Sequence, residues 1–175
     1  MNTSMKKLAT GILAGVTLAS GLLLPGQAEA ASISAKFGQT VNVSNENAKI
    51  DSIIRTGKSL MNHKAQYSHN YRPPKYMDCS QFIYYIFGKN GINMQTRDDD
   101  RQVRLGEYVP KNKLRKGDLV FYNSNQGKRD VTHVGLYIGN GQVLHMSNPQ
   151  DDVKISSLNS SWHKKYYLTA RRVIN

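Results

Sequence analysis

The spacing of apolar residues changes once along this chain, near Gly117. Before this point apolar residues recur every three to four positions, as in Ile50, Ile53 and Ile54, which is the period of a helix. After it apolar and polar residues alternate, which is the period of a strand. Helices followed by a run of strands are typical of an α+β domain. We therefore predict N-terminal helices packed on a mainly antiparallel sheet of about five or six strands.

The segment boundaries follow from turn and cap residues. Helices are predicted at residues 44–63 and 79–87, with a short helix from Asp98 to near Gly106. Asn90-Gly91 is expected to end the second helix. The predicted strands cover residues 118–122, 132–138, 142–147, 153–157 and 168–173.

The N-terminus has the features of an export signal. Lys6 and Lys7 precede an apolar stretch over 8–24, and Ala28-Glu29-Ala30 resembles a signal-peptidase site. An uncleaved membrane anchor is the alternative. We expect residues 1–30 to be removed, 31–45 to form a flexible lead, and 46–175 to form one folded domain. We expect the protein to be secreted or held in the cell wall, since the residue directly after the cleavage site is Ala31 and not a cysteine that could carry a lipid.

The net charge of +12 concerns the partners of the chain. Removal of residues 1–30 would leave 22 basic and 11 acidic residues. A strongly basic surface binds polyanions, and export favours anionic cell-wall polymers over nucleic acid. We expect no nucleic-acid partner, no stable membrane insertion after signal removal, and a monomer.

Cys79 is the only cysteine, so the chain can form no internal disulfide. Asp78 is a good helix N-cap, and Gln81 stands where a capping box places Glu or Gln. The sulfur would lie in the first helical turn, where free N–H groups and the helix dipole favour a thiolate. We expect a nucleophile with a lowered pKa. The alternative is a small buried apolar residue.

Two histidines flank a predicted hairpin. Val134 and Leu136 share a face with Leu144 only if the loop at 139–141 has three residues. In that register His133 and His145 are diagonal neighbours on the other face, and we expect both to face the Cys79 helix.

This arrangement predicts a catalytic trio. One imidazole takes the thiol proton and the second orients the first. Zinc binding is the competing use of such a pair, but no CxxC or HExxH spacing favours it. We expect neither a metal nor another cofactor. His63, His69 and His163 are interpreted as surface or loop residues.

At these residues the chain resembles the NlpC/P60 family of papain-like cysteine peptidases, which cut bacterial cell-wall peptides. The motifs that carry the resemblance are Asp78-Cys79-Ser80 with Phe82, the segment 114–121, His133 to Gly139, Leu144-His145 and the segment 162–173. The resemblance covers about residues 47–175 and implies the papain-like fold.

The resemblance also implies roles for single residues. Cys79 would be the nucleophile, His133 the general base and His145 the residue that orients it. Substrate contacts would come from five further residues: Tyr67 near the oxyanion, Asp78 at the free amine of the substrate, Ser80, Arg97 and Gln102.

The implied reaction is hydrolysis of the γ-D-glutamyl–diamino-acid bond of peptidoglycan stem peptides through a thioester. Gln81, 69–71 and Asp98-Asp99 depart from the family motifs, so the peptide recognised stays open. Two alternatives remain: a non-hydrolytic wall- or membrane-binding module, and an acyltransferase or amidase acting on another γ-glutamyl or amide substrate.

Overall fold

The computed structural model describes residues 25–125 and 130–174. Of the described residues, those from Thr40 onward form one compact unit, and residues 25–39 belong to another.

The elements of the chain follow the predicted α-then-β order. The helices are α1 Pro25–Lys58, α2 Cys79–Gly88, α3 Asp99–Gln102 and α4 Ser161–Tyr166, with a 3-10 helix at Lys111–Lys113. The strands are β1 Gln66–Tyr67, β2 Tyr76–Met77, β3 Glu107–Tyr108, β4 Leu119–Tyr122, β5 His133–Gly139, β6 Gln142–Met146, β7 Val153–Ser157 and β8 Tyr167–Arg172.

Six of the strands form one antiparallel sheet in the order β3-β8-β4-β5-β6-β7. The α+β class and the sheet are therefore confirmed, and all five strands predicted from the alternating pattern are present. The strands β1 and β2 form a separate parallel pair. We did not predict β1, β2, β3 or α4 from the sequence, because each of them is too short to show a hydrophobic period.

The central hairpin has the predicted register but a different turn. Leu136 pairs with Leu144, as the apolar pattern requires. The turn itself has two residues, Asn140 and Gly141, with φ of 51° and 68°, closed by the pair Gly139 and Gln142. An irregularity between Tyr137 and Gly139 absorbs the additional residue and restores the register, so the predicted three-residue loop was wrong in form only.

The segment before the domain differs from expectation. Residues 31–45, for which we predicted a flexible lead, belong to α1. Alanines at 28, 30, 31 and 35 are strong helix formers, and no proline interrupts the segment. Of the predicted signal peptide, residues 1–24 lie outside the described residues. Among the described helices, none has the length and apolar character needed to cross a bilayer.

The main core lies between the helices and one face of the sheet. Ile53 of α1 and Phe82 and Ile86 of α2 pack there with Leu136 and Leu144 of the central hairpin. The opposite face carries a second, smaller apolar cluster that includes Val120 and Tyr122. The candidate site lies at the start of β5, at one end of the sheet.

A largely buried ion pair joins the ends of two neighbouring strands within the sheet. Asp118, which is 1% exposed, accepts two hydrogen bonds from the guanidinium of Arg172, each 2.8 Å long. Such a bidentate pair is geometrically specific. It ties the beginning of β4 to the end of β8.

Candidate active site

Cys79 is the first residue of α2, and the cap predicted for this helix is confirmed. The Asp78 carboxylate accepts from the Gln81 N–H at 2.9 Å, and the Gln81 side chain accepts from the Asp78 N–H at 3.1 Å. This reciprocal pair holds the helix start in place. The Cys79 thiol is almost fully buried and receives backbone hydrogen bonds from Val134 and Ser80. The sulfur therefore lies beside the first peptide bonds of β5.

His133 and His145 form a hydrogen-bonded pair. Nε2 of His133 lies 2.8 Å from Nδ1 of His145, and the rings meet edge to face. Nε2 of His145 lies 2.8 Å from Oγ of Ser156 on β7. Gly135 makes room for this arrangement, because a Cβ there would lie 2.5 Å from Val143 Cγ1 and 3.2 Å from His145 Cβ. The described residues form no hydrogen bond to Nδ1 of His133.

The histidines do not lie on the sheet face that we expected. The helix α2 covers the apolar face with Val134, Leu136 and Leu144, whereas His133 contacts Tyr122 and Trp162 on the other face. The prediction that the imidazoles face the Cys79 helix was therefore wrong. The apolar face of α2 covers the apolar side of the sheet. Only Cys79, the first residue of α2, therefore lies near the end of the sheet at which His133 begins β5.

The electrostatic setting favours the neutral forms of the trio. Burial, with a smaller contribution from Asp99, raises the pKa of Cys79 to about 12, although the N–H groups of Val134 and Ser80 lower it. Burial lowers the pKa of His133 to about 4 and holds the pKa of His145 well below its usual value. The expected low thiol pKa is therefore corrected. The N–H of Ser80 in the first helical turn acts in the expected direction, and the N–H of Val134 in β5 adds to it, but desolvation outweighs both.

Two cavities are lined by residues of the candidate site. The first, which we call the histidine cavity, is lined by Tyr67, His133, His145, Ser156, Trp162 and His163, among others. Its volume of about 540 Å³ is in the range of peptide-sized sites. The cavity is thus formed by both imidazoles and an aromatic wall.

The second cavity, which we call the acidic cavity, contains the residues on both sides of Cys79 in the chain. It is lined by His69, Asp78, Ser80, Arg97, Asp98 and Asp99, among others. The Ser80 hydroxyl is 2.6 Å from the Arg97 carbonyl oxygen, and the Arg97 guanidinium lies over the Tyr71 ring. Asp78, Ser80 and Arg97, for which the family resemblance implies substrate contacts, are therefore brought together at one cavity.

Gln102 has a different position from the one predicted. It is fully buried, and its Nε2 donates to the carbonyl oxygens of Ser80 and Thr96 at 2.9 Å and 3.1 Å. A side chain enclosed in this way cannot touch a peptide. We therefore correct its assignment to a support that holds the start of α2 against the loop before α3.

A buried carboxylate holds the backbone of Tyr67, whose side chain lines the histidine cavity. Asp152 accepts from the Tyr67 N–H at 2.9 Å, and its other oxygen lies 2.7 Å from Nδ1 of His63. Burial raises the pKa of Tyr67, and the Cys79 charge acts in the same direction. His63 is thus an exposed partner of Asp152, whereas His69 lines the acidic cavity and lies 3.7 Å from Asp78.

Several site residues escaped the sequence analysis. His163, interpreted as a surface residue, is 5% exposed and packs edge to face on His145. Trp162 borders His133 from the same short helix. Ser156 and Asp99 were also missed as contributors to the site. The alternation of β7 gives Ser156 a face, but no pattern in the sequence places α4 against the histidines.

The zinc alternative lacks a converging ligand set. In the part of the chain that the structure describes, one group of three acidic, cysteine or histidine side chains is close enough to share an ion: Asp98, Asp99 and Asp100. Cys79, His133 and His145 are not in it. His145 instead uses both ring nitrogens in hydrogen bonds.

Asp99 provides a test of the electrostatic setting. Burial raises the pKa of its carboxyl to about 6, and its negative charge raises the pKa of Cys79. We expect Asp99→Asn to accelerate alkylation of Cys79 by iodoacetamide severalfold above pH 7, because removal of the charge favours the thiolate. Below about pH 5 the carboxyl is neutral in the wild type too, so the two rates should converge.

The matched control for this measurement is Asp100→Asn. The amide oxygen of asparagine can still accept the Val131 N–H, which Asp100 binds at 2.7 Å. The Asp100 charge raises the pKa of the neighbouring Asp99, whereas the carboxylates that raise the pKa of Cys79 are Asp99 and Asp78. Equal acceleration by both substitutions, or a difference that persists at pH 5, would contradict the role assigned to Asp99.

Comparison with known proteins identifies the family that this sequence is similar to. The model of the NlpC/P60 family matches residues 64–172. A γ-D-glutamyl-L-lysine dipeptidyl-peptidase of Bacillus cereus is 40% identical over 97 residues, which cover 55% of this chain and 29% of that protein. The murein DD-endopeptidase MepS/murein LD-carboxypeptidase of Escherichia coli is 39% identical over 102 residues, 58% of this chain and 52% of that protein. The chain thus matches about a third to a half of these relatives.

Solved structures agree with the fold. A crystal structure of an NlpC/P60 family protein from Bacillus cereus superposes with a TM-score of 0.63 at 34% identity, over 72% of this chain and 40% of that one. The peptidoglycan hydrolase RipB of Mycobacterium tuberculosis superposes with a TM-score of 0.59 at 26% identity, over 75% and 68% of the two chains.

Proposed function

The chain belongs to the NlpC/P60 family, and on that basis we propose that it is a cysteine endopeptidase that hydrolyses peptidoglycan stem peptides. The observations that support the proposal are the position of Cys79 at a capped helix start, with the Val134 N–H acting on its thiol, and the hydrogen-bonded pair of His145 with His133, the residue before Val134. A dipeptidyl-peptidase specific for γ-D-glutamyl-L-lysine is among its relatives. We therefore propose the γ-D-glutamyl–diamino-acid bond as the bond cleaved.

The neutral resting trio implies a proton transfer that accompanies attack. Sγ of Cys79 bonds to the γ-glutamyl carbonyl carbon while its proton passes to Nδ1 of His133. The tetrahedral intermediate collapses, the C–N bond breaks, and Nδ1–H protonates the leaving amine. Water then attacks the thioester carbonyl and gives one proton to His133, and His133 passes that proton to Sγ as the C–S bond breaks. The thiol is thereby regenerated, and the acid product leaves and ionises to the carboxylate. Hydrogen bonds of this kind often tighten only when substrate binds.

The cavities give the substrate a direction. Because His133 must protonate the leaving amine, the diamino-acid part belongs in the histidine cavity, which His133 lines. The acyl part then belongs in the acidic cavity, where the Asp78 and Asp99 carboxylates suit a free amine. Tyr67 lines the histidine cavity and is influenced by the charge of Cys79, which suits a position near the developing oxyanion.

Cell-wall action implies work outside the cytoplasm. We infer an extracytoplasmic location, in keeping with the predicted signal peptide. The 22 basic and 11 acidic residues that remain after removal of residues 1–30, a net charge of +11, would retain the enzyme on anionic wall polymers by electrostatic attraction. Binding to purified wall polymers should then weaken as the salt concentration rises.

Product analysis tests the proposed reaction. Purified muropeptides are digested with the protein and the fragments are identified by mass spectrometry. We expect release of the fragment that ends at D-glutamate, with a new amine on the diamino acid. Cleavage between two D-residues would assign the protein the activity named for its Escherichia coli relative. Unchanged muropeptides that nevertheless bind would support the non-hydrolytic module.

A further inference from the structure

We propose that Ser156 is a positioning residue of the catalytic machinery. Its hydroxyl holds His145 in the tautomer that carries hydrogen on Nε2, and His145 thereby holds His133 in the tautomer whose Nδ1 can take a proton. This inference rests on the proposed peptidase function for its catalytic consequence.

The three side chains form a continuous chain of hydrogen bonds. His133 Nε2 is 2.8 Å from His145 Nδ1, and His145 Nε2 is 2.8 Å from Ser156 Oγ. On the sheet, His145 pairs with Lys154 and Val143 pairs with Ser156. Ser156 is therefore a diagonal neighbour of His145 on the same face. At 3% exposure His145 has little access to solvent, so water is a poor replacement for the hydroxyl.

Neutral imidazoles allow only two arrangements of protons along this chain. Burial keeps both histidines neutral at pH 7, and a neutral imidazole has one donor and one acceptor nitrogen. In the first arrangement His133 donates from Nε2 to His145, which donates from Nε2 to Ser156. His133 Nδ1 is then an acceptor. In the second all bonds run the other way, and His133 carries its hydrogen on Nδ1, where it cannot take the Cys79 proton.

The Ser156 hydroxyl can accept in the first arrangement and donate in the second, so its effect depends on what its loss leaves unpaired, and a buried N–H without an acceptor is tolerated less often than an acceptor without a donor. The Ser156 side chain is half-buried and lines the histidine cavity, so its own hydrogen can point to solvent or to a bound peptide. Without it, the buried Nε2–H of His145 would have no acceptor, and an unmade bond at a buried donor is costly. Of His163, the third histidine on this face, Nδ1 pairs with Ser160, and the buried Nε2 makes no hydrogen bond to either ring of the pair among the described residues. Loss of Ser156 therefore favours the second, unproductive arrangement.

Nuclear magnetic resonance of ¹⁵N-histidine-labelled protein reports the tautomers directly, and the chain has only five histidines. In the wild type we expect His133 and His145 both to carry hydrogen on Nε2. In Ser156→Ala the hydrogen of His145 should move to Nδ1, with kcat lower by about 10- to 100-fold and KM little changed. Ser156→Thr retains a hydroxyl at a strand position and should restore both the tautomer and kcat.

The two readouts separate failure of this inference from failure of the proposed function. The tautomer is measured without substrate, so it stands whether or not stem peptides are cleaved. Hydrogen on Nδ1 of His145 in the wild type, or a tautomer that Ser156→Ala leaves unchanged, would overturn the inference. So would a kcat for Ser156→Ala equal to that of the wild type. Thermal unfolding of each variant checks that the fold is retained.

Discussion

Replacement of Cys79 by alanine is expected to abolish hydrolysis of stem peptides while the fold is retained. The role of the thiol is chemical, and removal of a nucleophile in a catalytic unit costs several orders of magnitude in kcat. The fold should tolerate the change because the helix start is held by the Asp78–Gln81 capping box. Initial rates measured by chromatography of released fragments, together with thermal unfolding, test both parts.

The control for this substitution is chelation of the wild type. EDTA should leave the wild-type rate unchanged, since the proposed steps use only Cys79, His133 and water. Retention of more than about one hundredth of the wild-type rate by Cys79→Ala would point to another nucleophile. Loss of wild-type activity with EDTA and recovery with zinc would restore the metal alternative.

The second large effect is expected at the two histidines, with a definite order among the variants. His133→Ala should be nearly inactive, because the substitution removes the base. His145→Asn should keep partial activity. The amide oxygen of asparagine, like Nδ1 of histidine, is bonded to Cγ and can accept from His133 Nε2, which lies 2.8 Å from that nitrogen. His145→Gln places its amide one bond further out and should be slower than His145→Asn.

The rate order His145→Asn, then His145→Gln, then His133→Ala therefore tests the geometry of the pair. Values of kcat should be compared at pH 7, where both wild-type imidazoles are neutral. An inactive His145→Asn beside an active His133→Ala would contradict the assignment of His133 as the base. Equal rates for the two His145 variants would show that contact at Nδ1 does not matter.

Much of the fold could be predicted because local patterns carry it. The alternation of Val134, Leu136 and Leu144 fixes the hairpin register, since a shift by one residue would expose every apolar side chain. The Asp78–Gln81 capping box lies within four residues and is equally local. These two features bring His133 next to His145 and place Cys79 at a helix start.

The remaining features depend on contacts that are distant in sequence. Burial of Cys79 by the sheet reversed the expected direction of its pKa, and no local pattern reports that burial. Gln102 was predicted to contact substrate. Its hydrogen bonds to the carbonyl oxygens of Ser80 and Thr96 instead make it a buried support of the start of α2. The packing of α4 on the sheet brings His163 against His145, although His163 has no apolar pattern around it.

The central claim, that Cys79 attacks the γ-glutamyl carbonyl, is tested most directly by trapping the acyl-enzyme. The protein is mixed with a stem peptide, quenched rapidly in acid, and analysed by intact-mass and peptide-fragment mass spectrometry. We expect the mass of the protein to increase by the mass of the fragment that ends at D-glutamate less one water. The adduct should be located on Cys79 and absent in Cys79→Ala. An adduct on another residue, or one that carries the diamino-acid fragment, would contradict this claim, as would turnover with no adduct at the earliest quench times.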